Sequence, residues 1–427
     1  MQIPRLGDNI SQAILSGSEK GLPSRAAGMR IDEFLATRPR LSEFWTPLLV
    51  LNRQNTEHNI QVMARWAERA GFELMPHGKT SMSPHLWARQ LEAGATGITL
   101  ATMGQVRTAR HLGFDSLLLA NEVTDPHAVR YIAGELADPA LSFTCWVDSV
   151  AGVAAMEQAL AQTQMSRPLD VCVDMGAENG RTGARSVAEG LDIGRALAAS
   201  GKLRLAGIGG YEGALAHDRS TAGLAAVRSF LRTQLDLHSA FEGLYDDDPV
   251  IVTAGGSAYF DVVAEEFAPA MDRFANTRWV LRSGAYVTHD DGFYLGISPL
   301  AAPGPGPDAS LRPALTGLAR VISTPEPGLA LLDGGKRDFP YDEGLPHAYS
   351  VASEPGAETK ALENASVTAM NDQHSFLRFD ASTQLAVGDV VTLGLSHPCT
   401  AFDKWRLIPV IDDADSDVVT DLIPTFF

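Results

Sequence analysis

One lysine of this chain stands where an α/β fold would place a nucleophilic amine. Residues 72–80 (FELMPHGKT) begin as a short apolar strand and end in a polar tip that carries Lys79. Pro76 and Gly78 break the strand just before that lysine. A lysine with a fixed stem and a partly desolvated head can hold a neutral amine that forms a Schiff base. The alternative interpretation is an ordinary surface lysine on a βα loop.

A glycine-rich loop of residues 253–257 (TAGGS) follows another apolar run. Gly255 and Gly256 would let backbone N–H groups approach an anion closely, and the loop leads into a helix N-terminus. The pattern predicts a phosphate site that includes Thr253 and Ser257 beside the two glycines. A plain tight turn is the alternative.

Two other apolar runs are followed by polar side chains that could contact a ligand. Arg181 lies in the loop of residues 180–183 (GRTG) and could donate to a phenolate or a carboxylate, or form an ordinary salt bridge. Tyr211 lies in the run 210–213 (GYEG), and His217 follows six residues later. Tyr211 could contact a ligand ring or simply pack in the core.

A histidine and a cysteine near the C-terminus could share one metal ion. His397 and Cys399 lie in residues 396–400 (SHPCT), and residues two apart in an extended segment point the same way. A thiolate beside an imidazole favours Zn²⁺. Two ligands are too few for a structural zinc site but suit an open catalytic site. Chance occurrence is the alternative, because the pattern is short.

The elements that must position these residues alternate in type. Apolar runs lie at 72–76, 97–102, 116–120, 142–148, 169–175, 204–211, 250–254 and 279–283. Segments with helical spacing lie at 84–94, 103–112, 126–137, 150–162, 186–200, 220–242 and 260–274. Eight evenly spaced units predict a (β/α)8 TIM-like barrel, whose active site forms at the carboxyl ends of the strands. A doubly wound open sheet is the structural alternative.

The pattern changes after Tyr286. A proline- and glycine-rich loop at 301–307 precedes runs that read as strands, at 315–323, 329–333, 348–351, 376–379, 389–395 and 407–411. We therefore predict a barrel over residues 52–290 followed by an all-β C-terminal domain. The β-rich domain would comprise 1–51 plus 291–427 and carry the metal site. The early strand at 46–51 needs a sheet to pair with and should join it.

Composition excludes several classes of protein. The net charge of −18 argues against nucleic acid or an anionic membrane as the main partner. Three widely spaced cysteines give no disulfide framework. No apolar run approaches a membrane span, and the N-terminus lacks the apolar region of a signal peptide. These features predict a cytoplasmic protein.

The motifs together resemble a known family. PHGKT, DMG with GRTG, GYEG, TAGGS, RSGAY and HPC follow one another in the order found in fold-type III pyridoxal-phosphate enzymes. The chain is similar in particular to the D-serine dehydratase and D-threonine aldolase group. The resemblance covers about residues 45 to 411, and the ordered set is far more specific than any single motif.

The resemblance implies an alanine-racemase-like barrel that binds pyridoxal 5'-phosphate through Lys79, and a β domain that supplies a metal. The implied cofactor contacts are His77, Lys79, Arg181, Tyr211, Thr253, Gly255, Gly256, Ser257 and Tyr286. His397 and Cys399 are the implied ligands of Zn²⁺ or of another divalent metal such as Mn²⁺. Lys79 is the implied base at the substrate Cα, and His217 a second catalytic residue. A homodimer is also implied.

The activity implied is that of a lyase acting on D-β-hydroxy amino acids. Elimination of the β-hydroxyl would give a keto acid and ammonia, with the metal as Lewis acid. The alternative is aldol cleavage to glycine and an aldehyde, with His217 taking the hydroxyl proton. The cysteine of His397-x-Cys399 favours the dehydratase, whereas the spacing from Tyr211 to His217 resembles the aldolases. An amino-acid racemase, a non-catalytic pyridoxal-phosphate carrier and a barrel hydrolase are further alternatives.

Overall fold

The computed structural model describes residues 12–178, 180–301, 309–380 and 382–427. Apart from Ala301, the predicted loop at 301–307 lies outside these residues. The described chain divides into two units by its internal contacts. The first comprises Met63–Lys79 and Gln90–Gly284, and the second comprises 12–62, Thr80–Arg89 and Ala285–Phe427.

Strands and helices alternate over the first two thirds of the chain. The strands are β1 (Leu48–Asn52), β2 (Glu73–Leu74), β3 (Ile98–Leu100), β4 (Ser116–Glu122), β5 (Ser142–Val147), β6 (Leu169–Met175), β7 (Leu203–Gly210), β8 (Val250–Ala254) and β9 (Thr277–Leu281). The helices are α1 (Ile31–Ala36), α2 (Arg53–Ala70), α3 (Pro84–Glu92), α4 (Met103–His111), α5 (Pro126–Glu135), α6 (Val150–Leu160), α7 (Val187–Ala198), α8 (Thr221–Ala240), α9 (Phe260–Met271) and α10 (Phe293–Ile297).

Strands β2 to β9 form one parallel sheet in the described part of the first unit, in the order β2-β9-β8-β7-β6-β5-β4-β3. Its two edges meet, because Thr96 N–H donates to Leu74 O (2.8 Å) and Thr99 N–H donates to Pro76 O (2.9 Å). His77 and Thr99 form a parallel bridge at the same seam. The sheet is therefore a closed barrel, as predicted.

Local sequence explains where the barrel helices begin. Among the described helices, several start at a side chain that accepts a hydrogen bond from the first turn, which stabilises each helix by about 1 kcal/mol. These caps are Thr102, Asp125, Ser149, Ser186 and Ser220. Helix α3 begins instead at Pro84, whose fixed φ suits a first turn.

The barrel interior is filled by side chains. A buried cluster crosses it, made of Met75, Leu118, Trp146, Cys172, Ala206, Ile251 and Val280. The Trp146 ring packs directly against Gly209. A Cβ at residue 209 would lie only 2.4 Å from the indole Cε2 atom, so this position requires glycine. Packing of this kind leaves the strand ends as the place for a ligand.

The second unit is built on a mainly antiparallel sheet. Its later strands are β10 (Leu315–Glu326), β11 (Leu329–Leu332), β12 (His347–Ala352), β13 (Lys360–Ala361), β14 (Ala365–Met370), β15 (Ser375–Phe379), β16 (Val390–Gly394), β17 (Leu407–Ile411) and β18 (Val419–Pro424). Strand β1 pairs antiparallel with β10 and parallel with β17, so the early strand joins this sheet as predicted. The fold class, a barrel followed by an all-β domain, is confirmed.

Strands β13, β14 and β18 escaped the sequence prediction. Strand β13 has two exposed residues, and β14 alternates small and polar residues with few large apolar side chains. Strands β13 and β14 therefore bury few large apolar side chains, and no apolar run marks them in the sequence. In the described chain we find no helix with the length and apolar character needed to span a membrane.

Candidate active site

Lys79 lies directly after the first barrel strand, as predicted. It sits in a short 3₁₀ turn, Gly78–Thr80, and is half-buried. The segment that follows the last barrel strand holds this turn in place, because His77 N–H donates to Arg282 O (3.1 Å). Gly284 permits this approach, since a Cβ there would lie 2.5 Å from His77 O.

Cationic side chains surround His77. Burial, and then the charges of Lys79, Arg282 and Arg181, hold the pKa of His77 well below its usual value. The buried Nδ1 atom has no hydrogen-bond partner among the described residues. His77 is therefore neutral at physiological pH, and the centre of the barrel attracts anions.

Arg282 is a site residue that the sequence prediction missed. It follows β9, is 4% exposed, and donates to Thr253 Oγ1 (2.6 Å) and to the carbonyl of Gly210. Burial lowers its pKa to about 10, although the charges of Glu212 and Asp174 oppose that change. Arg282 thus stays charged at neutral pH. Its signal was an arginine directly after an apolar strand, within the RSGAY motif.

The glycine loop after β8 already holds a carboxylate. Glu212 is fully buried and accepts from Gly255 N–H (3.0 Å) and Gly256 N–H (2.7 Å). These N–H groups can therefore bind anionic oxygens, but here they engage Glu212, which the sequence prediction also missed. The hydroxyl of Thr253 is engaged within the barrel wall, by Arg282 and by Val280 O (3.0 Å). Ser257 is buried beside this loop.

Tyr211 and Arg181 lie together at the same end of the barrel. The Arg181 guanidinium carbon is 4.6 Å from the centre of the Tyr211 ring. A Cβ on Gly256 would lie 2.8 Å from that ring, so the ring packs against the glycine loop. His217 is exposed in the loop that follows β7. Its catalytic role stays a prediction.

Two carboxyl groups at successive strand ends anchor the loop that carries Arg181, and a third carboxyl group lies beside them. Thr182 hydrogen-bonds Asp174, and Gly183 N–H donates to Asp148 Oδ2 (3.3 Å). Burial, followed by the charge of Asp174, raises the pKa of Glu122 to about 8. Glu122 is therefore mostly protonated at neutral pH and can donate to Asp174.

His397 and Cys399 lie side by side in the second unit. Asp342 Oδ2 is 2.7 Å from His397 Nδ1, and its other oxygen accepts from the Thr400 hydroxyl (2.6 Å). The Cys399 thiol hydrogen-bonds the His397 ring and lies 3.5 Å from Thr80 Oγ1. Burial alone would lower the pKa of His397, but Asp342 and Cys399 outweigh it and raise the pKa to about 10.

Tyr286 belongs to the second unit by its contacts. It lies in a short 3₁₀ turn, Ala285–Val287, and is 2% exposed. Its predicted contact with a cofactor stays a prediction.

The His397–Cys399 pair fits an open metal site rather than a closed one. The two donors are close enough to hydrogen-bond, so one ion could accept both. Within the described ranges, no group of three or more His, Cys, Asp and Glu residues is arranged to hold a metal ion. A catalytic metal needs open positions, and this donor set leaves them.

The barrel centre fits a phosphorylated, planar, carbonyl-bearing ligand such as pyridoxal phosphate. It has a half-buried lysine, two arginines, one aromatic ring and a loop whose N–H groups bind a carboxylate. Each of these groups matches one part of that ligand by charge or shape.

Comparison with protein families finds two matches along the chain. Residues 51–260 match the model described as "Alanine racemase, N-terminal domain". Residues 314–411 match the model described as "Putative serine dehydratase domain".

Individual proteins agree with these domains. A D-threonine aldolase of Arthrobacter sp. is 27% identical over 86% of this chain and 89% of its own length. A D-threo-3-hydroxyaspartate dehydratase of Delftia sp. (strain HT23) is 25% identical over 83% of this chain and 90% of its own. The structure of a D-threonine aldolase from Filomicrobium marinum superposes with a TM-score of 0.74 at 22% identity, over 90% of this chain and 96% of that one.

A D-threo-3-hydroxyaspartate dehydratase has also been solved as variants in which alanine replaces a histidine or a cysteine two positions later, the cysteine variant in a metal-free form. The chain therefore joins an alanine-racemase-like barrel to a serine-dehydratase-type β domain, and its predicted resemblance to the D-serine dehydratase and D-threonine aldolase group is confirmed.

Proposed function

We propose that this chain is a pyridoxal-phosphate- and metal-dependent lyase of D-β-hydroxy amino acids. The observation that carries the proposal is the setting of Lys79, half-buried on a strand end beside Arg181 and Arg282. The D-threonine aldolase and D-threo-3-hydroxyaspartate dehydratase among its relatives support this substrate class. We further propose a homodimer, which sedimentation at working concentration would test.

The residues of the barrel end would divide the work of holding the cofactor. Lys79 would bind its aldehyde carbon, and the Tyr211 ring would pack against its plane. Arg181, Arg282 and the loop of Gly255 and Gly256 would meet its anionic groups, with Glu212 giving up the loop N–H groups that it now occupies. When bound, pyridoxal phosphate supplies an electron sink that weakens the bonds at the substrate Cα.

Lys79 is the proposed base. Its Nζ would take the substrate Cα proton from the face to which the lysine returns, which would select one enantiomer. His77 is only a weak base, because burial and the cationic charges around it hold its pKa well below the usual value. His77 is therefore uncharged, and the positive charge at this point of the barrel is carried by Lys79, Arg181 and Arg282.

His397 and Cys399 are the proposed metal ligands. A zinc ion held there would act as a Lewis acid toward a β-hydroxyl group, which is otherwise a poor leaving group. A solved D-threo-3-hydroxyaspartate dehydratase supports this assignment, because the histidine and the cysteine replaced in its variants have the same spacing.

We favour β-elimination over aldol cleavage as the reaction. The histidine and cysteine pair supports the dehydratase, because the residues replaced in the solved D-threo-3-hydroxyaspartate dehydratase variants have the same spacing. The Arthrobacter aldolase, which matches this chain at least as well, keeps aldol cleavage as the second candidate. In that case His217, exposed after β7, would take the hydroxyl proton.

Product analysis tests the proposal directly. The purified protein would be supplied with pyridoxal phosphate and Zn²⁺, and incubated separately with D-serine, D-threonine and D-threo-3-hydroxyaspartate. Keto acid with ammonia would establish elimination, and glycine with an aldehyde would establish aldol cleavage. Appearance of the L-enantiomer alone would indicate a racemase and overturn the lyase proposal.

A further inference from the structure

A carboxylate from a distant loop orients the histidine of the proposed metal pair. Asp342 lies 55 residues before His397 in the sequence, and its Oδ2 atom is 2.7 Å from His397 Nδ1. We propose that Asp342 is a positioning residue, which fixes the imidazole so that Nε2 is presented to a divalent metal together with the Cys399 thiolate. This inference rests on the proposed metal site.

The hydrogen bond determines which nitrogen is available. A metal must displace one proton from the His397 ring, and the carboxylate of Asp342 accepts a hydrogen bond from the proton that remains at Nδ1. The lone pair then lies on Nε2, which is the atom left for a metal. A carboxylate behind the ring also makes the imidazole a stronger donor, and outer partners of this kind typically change metal affinity by about 10–100-fold.

Asp342 is itself held in place. Its Oδ1 atom accepts from the Thr400 hydroxyl at 2.6 Å, and Thr400 ends the 3₁₀ turn that contains Cys399. The carboxylate therefore ties together the histidine and the turn that carries the thiol. The rings of Phe293 and Tyr294 lie near the imidazole, with centroids 6.2 and 5.9 Å away. They limit how far the ring can tilt.

The test compares metal binding by the full-length protein and four variants. Zn²⁺ affinity would be measured by competition with a chromogenic chelator, which requires no turnover. Asp342→Asn keeps the size of the side chain but can donate an N–H to Nδ1, which moves the ring proton to Nε2. We expect its affinity to fall by about 10–100-fold. Thr400→Val should give a smaller loss in the same direction.

Asp403→Asn is the matched control. Asp403 is close enough to influence Asp342 electrostatically, and Lys404 Nζ is 3.8 Å from its carboxylate. The variant removes the same charge near the site but not the hydrogen bond to His397. Its Zn²⁺ affinity should stay within about twofold of the parent chain, because a partly exposed charge acts weakly through solvent.

The absorption spectrum of bound Co²⁺ distinguishes a positioning role of Asp342 from a merely structural one, which would leave the spectrum unchanged. Co²⁺ bound by a thiolate shows a charge-transfer band, and its visible bands report the coordination geometry. In Asp342→Asn the visible bands should change while the thiolate band persists, because Cys399 is untouched. Cys399→Ala should lose the thiolate band altogether.

The outcomes separate the inference from the proposal beneath it. If Asp342→Asn binds Zn²⁺ as tightly as the parent, with an unchanged cobalt spectrum, Asp342 has no positioning role and the metal site stands. An equal loss of affinity in Asp403→Asn would also overturn the inference, since charge alone would then explain it. If the parent chain binds no Zn²⁺ or Co²⁺, the proposed metal site fails, and this inference fails with it.

Discussion

His77 and His397 are the same side chain in opposite electrostatic surroundings, one in each unit of the chain. Lysine and arginine charges add to burial around His77 and hold its pKa well below the usual value. At His397 burial acts in the same direction, but Asp342 and Cys399 outweigh it and raise the pKa to about 10. The difference between the two sites therefore comes from the neighbouring charges rather than from burial.

The contrast shows what each centre is suited to bind. A group of cations around a neutral histidine attracts an anion such as a phosphate. A histidine that is hydrogen-bonded to a carboxylate and placed beside a thiol offers two donors to a divalent cation that displaces a ring proton. One chain thus carries one centre suited to an anion and a second that offers metal donors, which is the combination that the proposed function requires.

Replacement of Lys79 should have the largest effect, because it removes the proposed covalent anchor and base. Lys79→Ala should lose the visible absorption band of lysine-bound pyridoxal phosphate and at least about 10²–10⁴-fold of its turnover. Lys79→Arg keeps the positive charge beside His77 and should lose the band as well. Lys202→Ala, at a lysine bonded to Thr163 O, is the control and should keep it. A band that survives in Lys79→Ala would remove Lys79 from the site.

Replacement of Arg282 tests whether the cationic centre also stabilises the barrel. Arg282→Met leaves Glu212 buried without its positive neighbour and frees Gly210 O, so unfolding free energy should drop by about 3–5 kcal/mol. Urea denaturation of the purified variants would measure the change.

Arg278→Met is the matched control for Arg282→Met. Arg278 lies on β9, the strand that Arg282 follows, and pairs with Glu73 at 2.6 Å, but it is one-third exposed. Its loss should cost no more than about 1 kcal/mol. Equal losses in the two variants would mean that the buried charge has no special importance.

Replacement of Cys399 tests the surroundings of His397, the second of the two histidines compared. Cys399→Ala should lower bound zinc by more than about tenfold, because losing a ligand should cost at least as much as losing an outer partner. Turnover of β-hydroxy substrates should slow, while capture of pyridoxal phosphate by Lys79 should be unaffected. Metal analysis after dialysis, together with the visible band, would separate the two. Unchanged zinc content would remove Cys399 from the metal site.

The smallest effect should be a pH dependence at Glu122. Its folded-state pKa is raised from 4.5 to about 8, so the folded state binds the proton more tightly than the unfolded state. The stability contributed by this proton is complete below pH 4.5 and is lost as the pH rises through about 8. Glu122→Gln keeps a neutral donor at every pH and should become more stable than the parent above pH 8.

Urea midpoints at pH 5, 7 and 9 would measure that difference. Glu68→Gln, at an exposed residue of α2, is the control and should show no such divergence. A parent chain that follows the same profile as Glu122→Gln would contradict a raised pKa at Glu122.

The sequence predicts the positions of the barrel strands more completely than it predicts the residues of the two candidate sites. Barrel strands are buried on both faces and read as continuous apolar runs, so β6 and β8 lie at the residues predicted. Lys79 could be proposed from the sequence because it closely follows such a run. Asp342 could not be found, because the loop that carries it has no periodicity and its partner lies 55 residues away.

Glu212 was missed for a different reason. Glu212 directly follows Tyr211 in the sequence, but sequence alone does not show that its charged side chain is buried in the protein interior. Only the structure reveals that its carboxylate accepts the N–H groups of the glycine loop. Buried charges of this kind are set by tertiary contacts, not by local pattern.

The three thiols of the chain differ in how quickly they should react. Cys145 and Cys172 are fully buried in the barrel, and burial raises the pKa of each far above its usual value. Cys399 is partly exposed. Because the thiolate is the reactive form, an alkylating reagent should modify Cys399 in the native protein, whereas the barrel thiols must wait for an opening event. Timed alkylation would therefore report the accessibility of Cys399 and the opening of the barrel separately in one sample, with no substitution in the chain.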